Sequence, residues 1–198
     1  ETTVWVDGIE IGMQNSLSTP HIFSLTGSLT PGKHNITVRI DNRVKDINVG
    51  PNSHSITDHT QSNWNGMIGK LLLVSAPLLH LDNVQLYPDI KNKLVKAKIK
   101  INNPANKQVE ASIQLRVISE NPKSANLKTI QRKVTLKGGD TALEIIYPMG
   151  NAPLLWDEFH PNLYAMQVSL TTAKERDEKT ITFGMREFLT KGTQFTIN

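Results

Sequence analysis

The sequence predicts an all-β protein: a partial jelly-roll β-sandwich followed by an immunoglobulin-like β-sandwich. Apolar and polar residues alternate through most of the 198 residues, a pattern typical of strands with one buried face. Clusters of Gly, Pro and Asn separate the alternating segments, and no segment requires a helix of normal length. Hydrophobic residues make up 38% of the chain and charged residues 20%, which indicates a folded globular protein.

The first 79 residues carry about five strand signals, fewer than the roughly eight strands of a complete jelly roll. A hairpin is predicted over residues 4–11, because its centre is an Asp-Gly dipeptide that suits a tight turn. Alternation predicts strands at Phe23–Leu25 and Ile36–Ile40, and the apolar run Met67–Val74 predicts another. We therefore interpret residues 1–79 as the C-terminal part of a jelly roll.

Seven short strands are predicted in the second half of the chain. They fall near residues 83–88, 93–102, 108–119, 127–136, 140–147, 162–172 and 178–188. Seven alternating strands in roughly a hundred residues are typical of an immunoglobulin-like sandwich. Charge balance and strand rhythm change near residue 80, so this domain is assigned to residues 80–190. Strand-like patterns at both termini lead us to expect that both ends are cut from a longer protein.

Composition excludes several classes of site and partner. The chain has no cysteine, which rules out disulfides, thiolate metal sites and cysteine nucleophiles. The net charge is +4, but Lys96, Lys98 and Lys100 alternate with apolar residues, and no aromatic residues are interleaved with them. This favours the solvated face of a strand over a nucleic-acid interface. The longest apolar run, 71–79, is too short to span a bilayer.

The loop at residues 52–66 carries the clearest hint of function. Only Ile56 and Trp64 in it are substantially apolar, and the other side chains are mostly hydrogen-bonding groups. Polar groups can meet the hydroxyls of a ligand, and a flat ring can stack on a sugar face. The loop therefore suits recognition of a hydroxyl-rich ligand.

The same loop contains the residue types of two other kinds of site. His54, Asp58 and His59 offer ligand atoms at close spacing, but no further His or Cys supports a metal site, and hydrogen bonding within the loop accounts for them. Ser53 and Ser55 lie near these histidines, yet no nucleophile elbow is present. The sequence predicts no metal site and no cofactor.

Tryptophan and arginine residues outside the loop have structural interpretations. Trp5 and Trp156 lie in strand-like contexts, which favours a place in the core over a ligand platform. Arg186 is compatible with an internal salt bridge and equally with an exposed position on a strand.

Several motifs resemble one family of enzymes. Residues 5–8 (W-V-D-G), 29–32 (L-T-P-G) and 63–69 (N-W-N-G-M-I-G) closely resemble the later part of the sugar-binding jelly-roll domain of glycoside hydrolase family 2. Residues 156–164 (W-D-E-F-H-P-N-L-Y) and 183–187 (F-G-M-R-E) resemble signatures of the immunoglobulin-like domain that follows it. The family includes β-galactosidases, β-glucuronidases and β-mannosidases.

The resemblance implies non-catalytic accessory domains of a β-glycosidase, with residues 191–198 leading into a (β/α)₈ catalytic barrel that this chain lacks. Retaining glycosidases use two carboxylic residues about 5–5.5 Å apart, and in this family the barrel supplies both. Asp157 and Glu158 are neighbours on an extended segment, where side chains point apart, and they lie inside a structural signature. We expect no catalytic residue in this chain and no hydrolysis by it alone.

The resemblance also implies a role for the loop. In the family an acidic residue a few positions before the strand that follows Gly66 reaches the barrel mouth and binds sugar hydroxyls. Asp58 is farther from Gly66 than usual, whereas Gln61 and Asn63 are nearer, so the register stays open. We expect Asp58, Gln61 and Asn63 to line the sugar pocket, with Trp64 packed behind them or stacked on the sugar. The alternative is that the loop only packs against a neighbouring domain.

The expected partners are therefore carbohydrate and the missing barrel, with no nucleic acid and no membrane. An incomplete sandwich exposes strand edges, so homo-oligomers formed through those edges are also expected. The family suggests a periplasmic or secreted bacterial protein. Two rival interpretations remain: a stand-alone carbohydrate-binding or adhesion module, and a purely structural linker.

Overall fold

The structure is a computed structural model that describes residues 1–16, 19–43, 66–119 and 127–198. Its regular elements in these ranges are β-strands, so the all-β prediction is confirmed. No helix in the described ranges is long and apolar enough to cross a membrane. The chain divides into two compact units, residues 1–72 and 73–198.

The first unit contains one antiparallel sheet in the order β2-β1-β3. Its strands are β1 (Thr2–Val6), β2 (Ile9–Gln14) and β3 (Ile36–Ile40). Asp7 and Gly8 connect β1 to β2 with φ angles of 49° and 83°. Two residues with positive φ match the twist of a two-residue hairpin, which confirms the predicted Asp-Gly turn.

The buried apolar side chains in the described part of this unit are Val4 and Val6 on β1. The strands predicted at Phe23–Leu25 and Met67–Val74 are wrong, since neither segment forms a strand. Apolar composition alone does not make a strand, which also needs a neighbour to complete its backbone hydrogen bonds. The apolar side chains of Met67–Val74 are instead largely exposed.

The second unit contains the seven predicted strands in two antiparallel sheets. They are β4 (His80–Asp89), β5 (Leu94–Asn103), β6 (Val109–Ser119), β7 (Ile130–Leu136), β8 (Gly139–Pro148), β9 (Tyr164–Thr171) and β10 (Arg176–Phe183). One sheet has the order β4-β5-β8 and the other β10-β9-β6-β7. A single cluster of buried apolar side chains draws on both sheets, which is the organisation of an immunoglobulin-like sandwich.

Strand β5 shows how the alternating sequence makes the core. Val95, Ala97, Ile99 and Ile101 are buried. The lysines between them lie on the opposite, solvent-facing side, as the alternation predicts.

Edge strands of the two sheets are also joined by side chains. The Leu81 amide on β4 donates a hydrogen bond of 2.7 Å to Asp177 Oδ2 on β10. Lys179 Nζ on β10 donates to the Asp82 carbonyl at 2.8 Å. The open edge between the sheets is therefore held by two long-range polar contacts.

The chain does not continue as one strand to residue 188. Strand β10 ends at Phe183, and a separate hairpin follows, made of β11 (Phe188–Lys191) and β12 (Gln194–Ile197). The predicted seventh strand, 178–188, is thus wrong at its C-terminal end. Backbone contacts with the segment around Trp156 replace strand pairing after Phe183.

Candidate functional site

The four residues expected to bind sugar are Asp58, Gln61, Asn63 and Trp64. All four lie outside the described residues, as do His54, His59, Ser53 and Ser55. Their roles stay predictions. In the ranges that the structure does describe, no three His, Cys, Asp or Glu side chains are grouped so that they could hold a metal ion.

The two sequence motifs of the second unit meet in space. Leu155 and Met185 form a parallel bridge, and the Trp156 amide donates a 2.9 Å hydrogen bond to the Met185 carbonyl. Met185 is fully buried beneath this contact. Residues almost thirty positions apart are therefore joined through their backbones into one unit, which we call the Trp156 substructure.

Gly184 fits closely against the side chain of Trp156. A Cβ atom at position 184 would lie 2.7 Å from Trp156 Cβ and 2.9 Å from its Cγ. Because such distances are shorter than van der Waals contact, only glycine fits without movement. Two residues after Gly184, the exposed Arg186 guanidinium lies 4.9 Å from the centroid of the same ring, a cation–π contact. Trp156 is thus a partly buried packing residue.

Tyr164 is the last residue of the motif that begins at Trp156. Its ring is buried and stacks on Phe183, with 5.5 Å between ring centroids. Its hydroxyl accepts a 2.8 Å hydrogen bond from the Leu154 amide. A buried tyrosine that bonds to backbone upstream fixes the chain at a corner of the sandwich, as in other immunoglobulin-like domains.

The Asp157 side chain forms hydrogen bonds within its own turn. Its Oδ1 accepts hydrogen bonds from the amides of Phe159 (2.9 Å) and His160 (2.6 Å), and the His160 ring lies 3.1 Å away. Partial desolvation opposes ionisation, but the His160 and Phe159 amides outweigh it, so the pKa of Asp157 lies below its usual value. This carboxylate stabilises the turn through its hydrogen bonds to the two amides.

The end of the chain is tied to the same substructure. Asn198 Nδ2 donates to the Trp156 carbonyl at 3.0 Å. The Glu187 amide donates to Asn198 Oδ1, and the Asn198 amide donates to the Glu187 carbonyl. These bonds hold the hairpin β11–β12 against the Trp156 segment.

A shallow depression lies where the hairpin and the Trp156 segment meet. Its lining combines apolar and polar side chains: Leu155, Phe159, Phe195 and Ile197 with Asp157, Glu158 and Asn198. Sequence reasoning missed this surface. The sequence feature that could have indicated it is the pair of phenylalanines at positions 188 and 195. Both lie on one face of the hairpin, and their rings stack with 5.3 Å between the centroids.

Comparison with known proteins decides the family. The model of glycosyl hydrolases family 2 matches residues 79–186, more than half of the chain. The chain belongs to glycosyl hydrolases family 2. The resemblance seen in its sequence motifs is confirmed, and both motifs of the Trp156 substructure lie within the match up to Arg186.

Relatives in this family are considerably longer than the chain. A β-galactosidase of Clostridium acetobutylicum is 24% identical over 169 residues, which are 83% of this chain but 17% of that protein. The structure of a family 2 β-galacturonidase from Eisenbergiella tayi aligns over the whole chain and 33% of its own length, with a TM-score of 0.71 and 20% identity. A Bacteroides uniformis β-glucuronidase aligns over the whole chain and 24% of its length, with a TM-score of 0.72 and 20% identity.

The lysine face of this family 2 chain is largely neutralised by its own carboxylates. Lys100 Nζ lies 2.9 Å from Asp140 Oδ2 and 3.0 Å from Asp82 Oδ2, and hydrogen bonds to Asp140 and Asp82 raise the pKa of Lys100. Lys96 lies 3.5 Å from Glu144. These pairs are intramolecular and leave little net positive charge on the face.

Proposed function

We propose that this chain forms the non-catalytic accessory domains of a longer family 2 β-glycosidase, here called the parent enzyme. The observation that carries the proposal is the small share of its relatives' length that the chain covers. The chain matches the family over 79–186, yet it spans 17% of the Clostridium relative and a quarter to a third of the two solved structures. In the parent enzyme, the accessory domains would scaffold a catalytic barrel that hydrolyses O-glycosyl bonds.

The chemistry of the Asp157 turn supports this division of labour. A retaining mechanism needs two carboxyl groups about 5–5.5 Å apart, one as nucleophile and one as acid/base. Asp157 accepts hydrogen bonds from two backbone amides of its own turn and serves that turn. Its exposed neighbour Glu158 lines an open depression of the surface. The proposal therefore assigns catalysis to the barrel.

The loop at 52–66 is proposed to form one wall of the sugar pocket in the parent enzyme. Asp58, Gln61 and Asn63 would bind sugar hydroxyls, and Trp64 would pack behind them or stack on the sugar. The support is the polar composition of the loop and its position before Gly66. A periplasmic or secreted location belongs to the same proposal and rests on the family alone.

Chain 1–198 alone is expected to hydrolyse no glycoside and to bind monosaccharides weakly or not at all, because the barrel side of the pocket is missing. The measurements are release of p-nitrophenol from p-nitrophenyl β-D-galactoside, β-D-glucuronide and β-D-mannoside, and titration calorimetry with the free sugars. Hydrolysis above the buffer rate would contradict the proposal. A micromolar dissociation constant would instead favour a stand-alone carbohydrate-binding module.

A further inference from the structure

A histidine and an aspartate of the first unit face each other at one end of the β2-β1-β3 sheet. Asp7 lies in the turn between β1 and β2, and His34 lies between the bend at 31–32 and β3. His34 Nδ1 is 2.6 Å from Asp7 Oδ2, although the two residues are 27 positions apart in the chain. This contact therefore joins the β1–β2 turn to the segment that leads into β3.

Backbone hydrogen bonds hold the Asp7 carboxylate in position for this contact. The Asp7 amide donates to the Asn35 carbonyl at 2.9 Å, and the Asn35 amide donates to Asp7 Oδ1 at 2.8 Å. One carboxylate oxygen thus serves the backbone, and the other faces the His34 ring. The side chain of His34 is only 17% exposed, so its ring nitrogens depend mainly on protein groups for hydrogen bonds.

The second ring nitrogen of His34 meets both backbone groups of Thr30. His34 Nε2 is 2.7 Å from the Thr30 carbonyl oxygen and 3.3 Å from the Thr30 amide nitrogen. A carbonyl accepts only from a protonated ring nitrogen, whereas an amide donates only to an unprotonated one. The carbonyl is the closer group and Nδ1 faces a carboxylate, so the geometry suits a ring protonated on both nitrogens. Whichever nitrogen loses its proton, one oxygen acceptor loses its donor.

Asp7 is the charged group that pairs with the His34 ring among the described residues. The other charged residues on the neighbouring elements are Glu10 on β2, Arg39 on β3 with Glu1 beside it, and Lys33 next to His34 in the chain. Hydrogen bonds to Asp7 and to the Thr30 carbonyl outweigh desolvation and raise the pKa of His34 above its usual value. Hydrogen bonds from the Asn35 amide and the His34 ring lower the pKa of Asp7.

We propose that Asp7, His34 and the Thr30 carbonyl form a pH-sensitive clip, which holds the bend at 31–32 against the β1–β2 turn while His34 is protonated and releases it when His34 loses its proton. The clip lies within residues 1–72 and does not depend on the proposed function. Because the pKa of His34 is raised on folding, its contribution is complete below about pH 6.5 and is lost as the pH rises through the folded value. Because the pKa of Asp7 is lowered, its contribution is complete above about pH 4 and is lost as the pH falls through the folded value.

A pH titration of chain 1–198 by NMR tests the ionisation of the clip. The chain has six histidines, and the Hε1 signal of His34 is the one that His34→Gln removes. Its titration midpoint should lie above about pH 6.5, and Asp7→Asn should lower it. Asp7→Asn keeps a side-chain oxygen for the Asn35 amide and suits the hairpin turn as well as aspartate does, so the fold is retained while the charge is removed.

Hydrogen exchange at the Asp7 and Asn35 amides measures release of the clip. After correction for the intrinsic effect of pH, their protection should fall by about twofold to fivefold as the pH rises through the His34 midpoint, the size expected for a partly exposed ion pair. His34→Gln should abolish this fall. His21→Gln is the matched control, because the His21 ring bonds to the Ser16 carbonyl at 3.0 Å and pairs with no carboxylate in the described residues; it should leave the fall unchanged.

A His34 midpoint at or below about pH 6.5, or one that Asp7→Asn does not lower, would overturn the clip. Protection at Asp7 and Asn35 that does not change with pH would overturn it as well, and so would a fall that persists in His34→Gln. None of these results bears on the proposed function, which the glycoside assays test separately.

Discussion

Replacing Tyr164 with alanine is expected to lower the free energy of unfolding of the second unit by about 3–5 kcal/mol, the usual cost of removing a buried aromatic ring. The side chain is 2% exposed and stacks on Phe183, so its removal leaves a cavity between the sheets. The Leu154 amide also loses its acceptor at 2.8 Å, and an unpaired, partly buried amide adds to the cost. Urea unfolding of chain 1–198, followed by far-UV circular dichroism, measures the loss.

Tyr87→Ala is the control for this prediction. Tyr87 is 45% exposed, and its ring contacts the Lys98 ammonium at the surface, so its removal should cost less than about 1 kcal/mol. Tyr164→Phe keeps the ring and removes only the hydroxyl, and about 1–2 kcal/mol should be lost. Equal destabilisation by Tyr164→Ala and Tyr87→Ala would show that the Tyr164 corner does not hold the sandwich.

Asp58→Ala in the parent enzyme is expected to reduce kcat/KM by about tenfold to a hundredfold. A hydrogen bond between a carboxylate and a sugar hydroxyl contributes about 1.5–3 kcal/mol, and its loss appears in kcat/KM when it is made in the transition state. Steady-state kinetics on the preferred p-nitrophenyl glycoside provide the measurement. Asp46→Ala, an acidic residue of the same half that precedes the loop, should leave both kinetic constants unchanged.

Gln61→Ala and Asn63→Ala address the open register of the loop. If one of these residues takes the place of Asp58 at the sugar, its substitution should carry the larger kinetic loss. Unchanged kcat and KM in all three variants, together with a lowered melting temperature, would leave the loop with only a packing role against a neighbouring domain.

Two kinds of element could be predicted from the sequence. They are turns between strands that are close in the chain, and strands in which apolar and polar residues alternate. The Asp7-Gly8 turn and the seven strands of the sandwich are examples, because local conformation and a two-residue period determine them. Met67–Val74 was misassigned because strand formation also depends on a pairing partner, which composition does not reveal.

The Trp156 substructure shows the same limit for the candidate site. Both of its motifs were visible in the sequence, but nothing in their spacing showed that Gly184 packs on Trp156 or that Asn198 ties the hairpin to it. Those contacts are non-local and follow from the packing of the whole sandwich. The depression between the hairpin and the Trp156 segment could not be predicted for this reason, since its lining residues come from two segments about forty residues apart.

The coding sequence beyond Asn198 in the native gene tests the central claim most directly. If the chain is the accessory part of a family 2 β-glycosidase, the reading frame should continue for about 250 residues or more with alternating strand and helix patterns. The added part should contain an Asn-Glu dipeptide. The intact mass of the native protein should equal the mass that the longer reading frame encodes. A stop codon directly after Asn198, with a native mass equal to that of the 198-residue chain, would contradict the account.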